Sequence, residues 1–228
     1  MNYQRIMVFG AHPDDEITMS GTIAKMSDLG VRVVVVTCTN GCEGYPREEW
    51  QDNIADMRRS EAAEADKVLG IARRIFLDVD DMALTPDKPT LHRCIRIIRE
   101  ERPEAIFTHG PFDRHRDHLA THILSTQAAW HAGEPVSRAL GEPWVTRHLY
   151  YYKGVPDQRA SVLYDVSGYQ HKRYEALATQ VSQHTLFGQT REELLAKAEE
   201  VRAAGGKAFE RFWFTEWCEL HDFPPAGL

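Results

Sequence analysis

The sequence predicts an α/β fold of three layers, a doubly wound and mostly parallel sheet with helices on both faces and additional strands and helices toward the C-terminus. Three observations carry this expectation. The run VRVVVVTCT, residues 31–39, is nearly continuous in β-branched apolar residues rather than alternating, as in parallel strands covered on both faces. Such runs alternate along the chain with segments of helical periodicity. A chain of 228 residues, 43% hydrophobic and 27% charged, is also long enough to bury a core and ordinary enough in composition to fold throughout. One domain spanning residues 1–228 is expected.

Each element follows in order. RIMVFG (Arg5–Gly10) reads as the first strand, and Ile17–Leu29 has apolar spacings suited to a helix closed by Gly30. After the second strand at 31–39, Asn53–Leu69 reads as a helix stopped at Gly70, Arg73–Asp78 as a strand and Thr90–Glu101 as a helix. Glu104–Gly110 (EAIFTHG) is the fourth strand and Leu119–His131 the helix behind it. The Gly- and Pro-rich stretch AGEPVSRALGEPW reads as a loop. HLYYYK and SVLYDV then read as strands, followed by helices near Gly168–Val181 and Thr190–Ala204. The aromatic tail FERFWFTEWCEL reads as a strand packed on the sheet or as cover for a pocket. The arrangement is Rossmann-like, with right-handed crossovers, and such sheets bind ligands outside the carboxyl ends of their strands.

Composition excludes some partners. A formal net charge of -7 offers no basic field for a nucleic-acid backbone. No apolar stretch approaches 18 residues, and the opening MNYQRIMVFGAHPDDE has too short an apolar run for a signal peptide, so no membrane is expected and the cytoplasm is the expected compartment. Cys38, Cys42, Cys94 and Cys218 contain no CxxC pair and read as reduced thiols. Trp213 and Trp217 in the tail raise a homo-oligomer contact as one reading, against the more frequent fate of burial.

The chemistry gathers in loops after predicted strands. AHPDDE follows the first, TNGCEGY (Thr39–Tyr45) the second and HGPFDRHRDH (His109–His118) the fourth. His12 and Asp15 are stiffened by Pro13, and zinc accepts one imidazole nitrogen and one carboxylate oxygen. A catalytic site needs a third protein ligand, and the fourth-strand region offers His115, His118 and His122. Alone, Asp14 and Asp15 would read as helix caps. Two such clusters at one sheet edge make a site the better account. His122, four residues beyond His118 on a helix, reads as a packed or surface residue. Glu16 reads either as an acid orienting His12 or as a favourable charge in the first turn of a helix.

HPDDE paired with DRHRDH (Asp113–His118) resembles the PIG-L/LmbE-like family of zinc-dependent N-deacetylases. Weaker matches are TxGxxG (Thr39–Gly44), RxxE (Arg58–Glu61) before Leu69-Gly70, and DxxL (Asp81–Leu84), so that the resemblance covers Arg5 to about His122. It implies His12, Asp15 and His118 as ligands of one Zn2+ per chain, other divalent metals being alternatives. It further implies Asp14 as general base, His115 facing the reacting carbonyl with Asp117 holding its ring, and Arg58 and Asp81 gripping sugar hydroxyls. The implied substrate is a small N-acetylated sugar or conjugate. Arg116 stands where relatives carry proline, and Gln180 stands where many carry a histidine, with His184 nearby.

The residues fit that chemistry. Zinc polarises an amide oxygen and activates water, Asp14 can move the proton, and His115 can donate to the oxyanion. The alternative is a metal-dependent hydratase or lyase acting on a small keto acid, for which Arg47, Arg114 and Arg116 would supply the cations. A sugar- or nucleotide-binding module without catalysis fares worse, since GAHPDDE lacks a phosphate cradle.

Overall fold

The computed structural model describes residues 3–155 and 159–214. Among them are the strands β1 (Arg5–Gly10), β2 (Arg32–Thr39), β3 (Arg73–Val79), β4 (Ala105–His109), β5 (His148–Lys153), β6 (Val162–Asp165) and β7 (Phe209–Phe214). They form one sheet in the order β3-β2-β1-β4-β5-β7-β6. The pairs from β3 through β5 are parallel, and β7 runs antiparallel to both β5 and β6.

Helices α1 (Ser20–Asp28), α2 (Ile54–Leu69), α3 (Lys88–Glu101), α4 (Arg116–Gly133), α5 (Lys172–Leu177), α6 (His184–Phe187) and α7 (Arg191–Ala204) complete the described chain. The central strands carry continuous apolar runs, Ile6–Phe9 in β1, Val33–Val36 in β2 and Ala105–Phe107 in β4, because each face of the sheet has its own core. Met7, Phe9, Val34 and Val36 pack with Ile95 and Ile98 of α3 and Leu124 of α4. The alternate residues Ile6, Val8, Val33 and Val35 pack with Ile23 of α1, Leu69 of α2 and Ala176 of α5. Cys38 and Cys94 are buried free thiols, and Cys42 is a partly exposed one. Among the described residues no helix is long and apolar enough to cross a membrane.

Helix ends follow local chemistry. Gly70 closes α2 with φ +72°, a left-handed conformation that suits glycine. Asp87 opens α3 by accepting the Thr90 N–H, and Thr190 opens α7 in a reciprocal capping box with Glu193.

Two expected helices differ. The segment expected to be helical from Ile17 begins instead as a 3-10 turn, Asp15–Met19, before α1. There the Asp15 carboxylate accepts the backbone N–H groups of Ala11 and His12 and tightens the chain. The helix expected near 168–181 is reduced to α5 and a 3-10 turn, Val181–Gln183, because Glu61 takes both the backbone N–H and the hydroxyl of Ser182. The tail is a strand, β7, through Phe214, and Trp213 packs against the core. Trp217 and Cys218 lie outside the described residues.

The chain builds outward from β1 to β3 on one side and from β4 to β5 on the other. Strand order therefore reverses between β1 and β4, and the loops leaving those two strands flank the crevice.

Candidate metal centre and active site

Asp15 is the hub of this crevice. Its Oδ2 accepts the N–H groups of Ala11 and His12, both at 2.9 Å, and lies 3.1 Å from His109 Nε2. Its Oδ1 faces His118 Nε2 at 3.5 Å and Lys153 Nζ at 3.8 Å. His12 Nδ1 stands 3.6 Å from Oδ2, and the His12 and His118 rings are 5.2 Å apart. His118 Nδ1 donates to Asp113 Oδ2 at 2.8 Å, which keeps its proton on that side and leaves the Nε2 lone pair toward Asp15.

Three overlapping groups place their ligand atoms within 4.8 Å of one another: His12 with His115 and His118, Asp15 with His109 and His118, and His12 with Asp81 and Asp117. Imidazole nitrogens and carboxylate oxygens at this spacing fit a borderline divalent cation such as zinc.

Electrostatics agree with that fit. Burial pulls the His118 imidazole down to about 4 despite the opposing pull of Asp15, so it is neutral, the form a metal needs. Burial works against ionisation of Asp15, but His109, His12 and His118 outweigh it and hold the carboxyl well below its usual range. Burial likewise works against charge on His12, yet hydrogen bonds with Asp117 and Asp15 raise it to about 10. A cation bound among these acids would replace that proton.

Asp14 belongs to none of the three groups. Its Oδ2 pairs with Arg58 Nη2 at 3.1 Å, and both residues line a cleft of about 430 Å3 that also exposes His115, Asp81 and Lys153. Arg58 comes from α2 and is only 4% exposed. Two glycines make its path. A Cβ on Gly41 would sit 2.8 Å from Arg58 Cδ, and one on Gly44 would sit 2.7 Å from Nη1. The glycines of TxGxxG are thus explained by close approach of a guanidinium. Asp81 holds the same turn, accepting the N–H groups of Gly41 at 2.9 Å and Glu43 at 3.1 Å.

Several expected contacts differ. Asp117 Oδ2 lies 3.3 Å from His12 Nε2 and 3.9 Å from His115 Nδ1, and it accepts the Met82 N–H at 2.7 Å. It therefore orients His12 more closely than His115. His115 Nδ1 instead accepts the backbone N–H of Asp117 as the cap of α4, which puts the ring proton on Nε2. Glu16 does not reach His12 but pairs with Arg74 at 2.6 Å, fully buried, because Arg74 is the cation within its reach. His184 turns away from the cleft to the Leu177 carbonyl, 3.1 Å from Nε2, and Gln180 is buried outside the lining. Gln183 lines the cleft instead, donating to the Gly44 carbonyl at 2.7 Å. His122 is packed, its Nδ1 3.0 Å from the His109 carbonyl.

Sequence reasoning missed Asp113, His109, Lys153 and Gln183. Asp113 carried a signal, an acid five residues ahead of His118. His109 carried another, since strand alternation puts it on the same side as Phe107.

A family model described as GlcNAc-PI de-N-acetylase, PIG-L, matches residues 7–129. The chain belongs to the PIG-L family. The matched stretch runs from within β1 to within α4 and so includes both loops of the PIG-L crevice. A 1D-myo-inositol 2-acetamido-2-deoxy-alpha-D-glucopyranoside deacetylase of Rhodococcus jostii is 34% identical over 180 residues, covering 66% of this chain and 62% of that protein. The PIG-L chain thus spans less than two thirds of the curated relatives' length. Its fold is that of N,N'-diacetylchitobiose deacetylase from Pyrococcus horikoshii, with TM-score 0.81, 23% identity, and 99% and 88% of the two chains covered. It is also that of 4-carboxy-2-hydroxymuconate hydratase from Pseudomonas putida, with TM-score 0.72, 23% identity, and 92% and 93% covered.

Proposed function

We propose that this PIG-L chain, as one domain over 1–228, is a zinc-dependent N-deacetylase that removes an acetyl group from a small N-acetylglucosamine-type sugar or conjugate. The observation that carries the reading is the division of labour between adjacent acids. Asp15 shares a group with His118, 3.5 Å away through Oδ1, and His12 shares another with His118, whereas Asp14 stands outside every metal group yet lines the same cleft. A cleft of about 430 Å3 is of a size for a small molecule.

In this reading His12, Asp15 and His118 hold the metal, which supplies the Lewis acidity that polarises the amide carbonyl and activates water near neutral pH. Arg58 anchors Asp14 through Oδ2, and the carboxylate takes the proton of the attacking water and passes it to the departing amine. His115, with its proton on Nε2, donates to the developing oxyanion. Asp117 acts through His12. Arg58 and Asp81 wall the side on which the sugar hydroxyls lie, Arg58 steering Asp14 and Asp81 shaping the turn.

The arginines named for the hydratase alternative do not line the cleft, whose cations are Arg58 and Lys153. Arg47 pairs with Glu49 at 3.9 Å, and the described cleft is lined by neither it, Arg114 nor Arg116.

The test is amine release from a panel of N-acetylated sugars by zinc-loaded protein, chelated protein and Asp14→Asn run in parallel. Zinc-loaded protein should release amine and chelated protein should not. Asp14→Asn should keep its zinc and lose at least ~100-fold in turnover. Undiminished turnover in chelator would overturn the metal, and undiminished turnover in Asp14→Asn would overturn the base.

A further inference from the structure

We infer that His109, held by Tyr152, is a positioning residue that locks the Asp15 carboxylate so that Oδ1 alone is offered to the metal. The inference rests on the metal site proposed above and assigns a role to a buried histidine that the mechanism does not otherwise use.

Geometry carries it. His109 is fully buried at the end of β4, and it touches both Asp15 and His118: Nε2 lies 3.1 Å from Asp15 Oδ2, and its ring stacks on His118 with centroids 4.2 Å apart at 19°. Tyr152 Oη lies 2.9 Å from the same Nε2 and donates to the Phe9 carbonyl at 3.0 Å. A phenol has one proton, and the carbonyl can only accept, so Oη must accept from His109. Asp15 as a carboxylate can also only accept. Both partners therefore require a proton on Nε2, shared between them. Ala11 N lies 3.3 Å from Nε2 but 2.9 Å from Asp15 Oδ2, and its N–H goes to the oxygen. His109 Nδ1 is buried with no partner, which suits a bare lone pair better than an unpaired N–H.

Oδ2 thereby collects three N–H donors, from Ala11, His12 and His109. That saturates it and leaves Oδ1 toward His118 Nε2. A monodentate ligand oxygen results, with its rotamer fixed before metal arrives.

The fold is built to allow this. Thr108 pairs with Tyr151, but His109 pairs with Lys153, so β5 carries one extra residue, Tyr152, at this point. Such bulges re-aim side chains next to active sites. Gly110 permits the close approach, since a Cβ there would sit 2.5 Å from the Gly154 carbonyl oxygen.

The same distances would also let His109 join the ligand set with Asp15 and His118, and the experiment separates the two roles. Full-length apoprotein is titrated with zinc against a chromogenic chelator, and the cobalt-substituted protein gives a visible d–d spectrum. Wild type, His109→Gln, His109→Leu and Tyr152→Phe are compared, with circular dichroism to confirm folding. Glutamine keeps an N–H donor and should hold zinc within ~3-fold of wild type with the cobalt spectrum unchanged, whereas leucine should weaken zinc by ~10–100-fold. If the leucine variant does not fold, Tyr152→Phe decides, with an expected weakening of ~3-fold or more and an unchanged spectrum. Zinc affinity unaltered in the leucine variant, or in Tyr152→Phe where that variant decides, overturns the inference. A cobalt spectrum changed in His109→Gln overturns it in favour of ligation. Wild type that binds no zinc removes the metal reading and this inference together, so the two failures remain distinguishable.

Discussion

Arg58 illustrates how one side chain joins sequence motif to chemistry. Its guanidinium reaches Asp14 only because Gly41 and Gly44 present no Cβ to it. Gly44→Ala would place a methyl 2.7 Å from Nη1, the movable end of the side chain, so the cost should fall on aim more than on folding. We expect a drop in turnover of ~10-fold or more through misplaced Asp14, with little change in melting temperature. Thermal melting and steady-state rates on the same preparation check it, and unchanged turnover would detach Arg58 from the base proposed above. At this scale the gathering of His12, Asp14, Asp15, His115 and His118 at one cleft was legible because HPDDE and DRHRDH are short and local. His109, Lys153 and Gln183 were not, because each reaches the crevice from a different element and none has a motif around it.

At the scale of elements, most boundaries could be read from punctuation. Gly70 ended α2 and Thr190 opened α7 where residue chemistry said they should. Thr190→Ala removes the hydroxyl that accepts the Glu193 N–H and should cost about 1 kcal/mol of stability, measured by urea unfolding. Thr190→Ser should recover most of it. One element that escaped reading has its backbone claimed by a distant side chain. Ser182 gives its N–H and hydroxyl to Glu61, 121 residues away in sequence, and the helix expected there is cut short. The 3-10 turn at Asp15–Met19 has a local cause, since the Asp15 carboxylate accepts the N–H groups of Ala11 and His12, four and three residues back.

At the scale of the whole molecule, one buried cation ties the site loop to the scaffold. Arg74 of β3 pairs with Glu16 and Asp66, both at 2.6 Å, and donates to Thr37 Oγ1 at 2.9 Å. Burial pushes the Glu16 carboxyl up even with Arg74 beside it, so a lone Glu16 would be strongly unfavourable. Arg74→Met should lose roughly 3–5 kcal/mol, and adding Glu16→Gln should return part of that; chemical denaturation of both variants is the check. A pH dependence belongs at this scale too. Burial, aided by Arg147, pulls His148 below its ordinary 6.5. The folded chain then takes up this proton less readily than the unfolded chain. The contribution of His148 to stability is therefore complete above 6.5 and lost as pH falls through the lower folded value. Melting temperatures between pH 7.5 and about 5 should fall less steeply in His148→Gln than in wild type, and equal slopes would refute it.

The sequence by itself determined the layers and the pair of loops. Continuous apolar strands alternating with helical periods admit few folds, and a histidine beside paired acids after a strand admits few chemistries. Tertiary structure alone decided that Asp15 Oδ1 faces His118, that Asp117 lies nearer His12 than His115, that Arg58 pairs with Asp14 and that β7 enters the sheet between β5 and the edge strand β6. These are matters of angle and reach between distant segments: His12 and Asp117 lie 105 residues apart in sequence, and Glu210 of β7 accepts the N–H groups of Gly21 and Thr22 across 189 and 188 residues. Local preferences carry no record of such distances, and only the packed sheet brings the segments to hydrogen-bonding range.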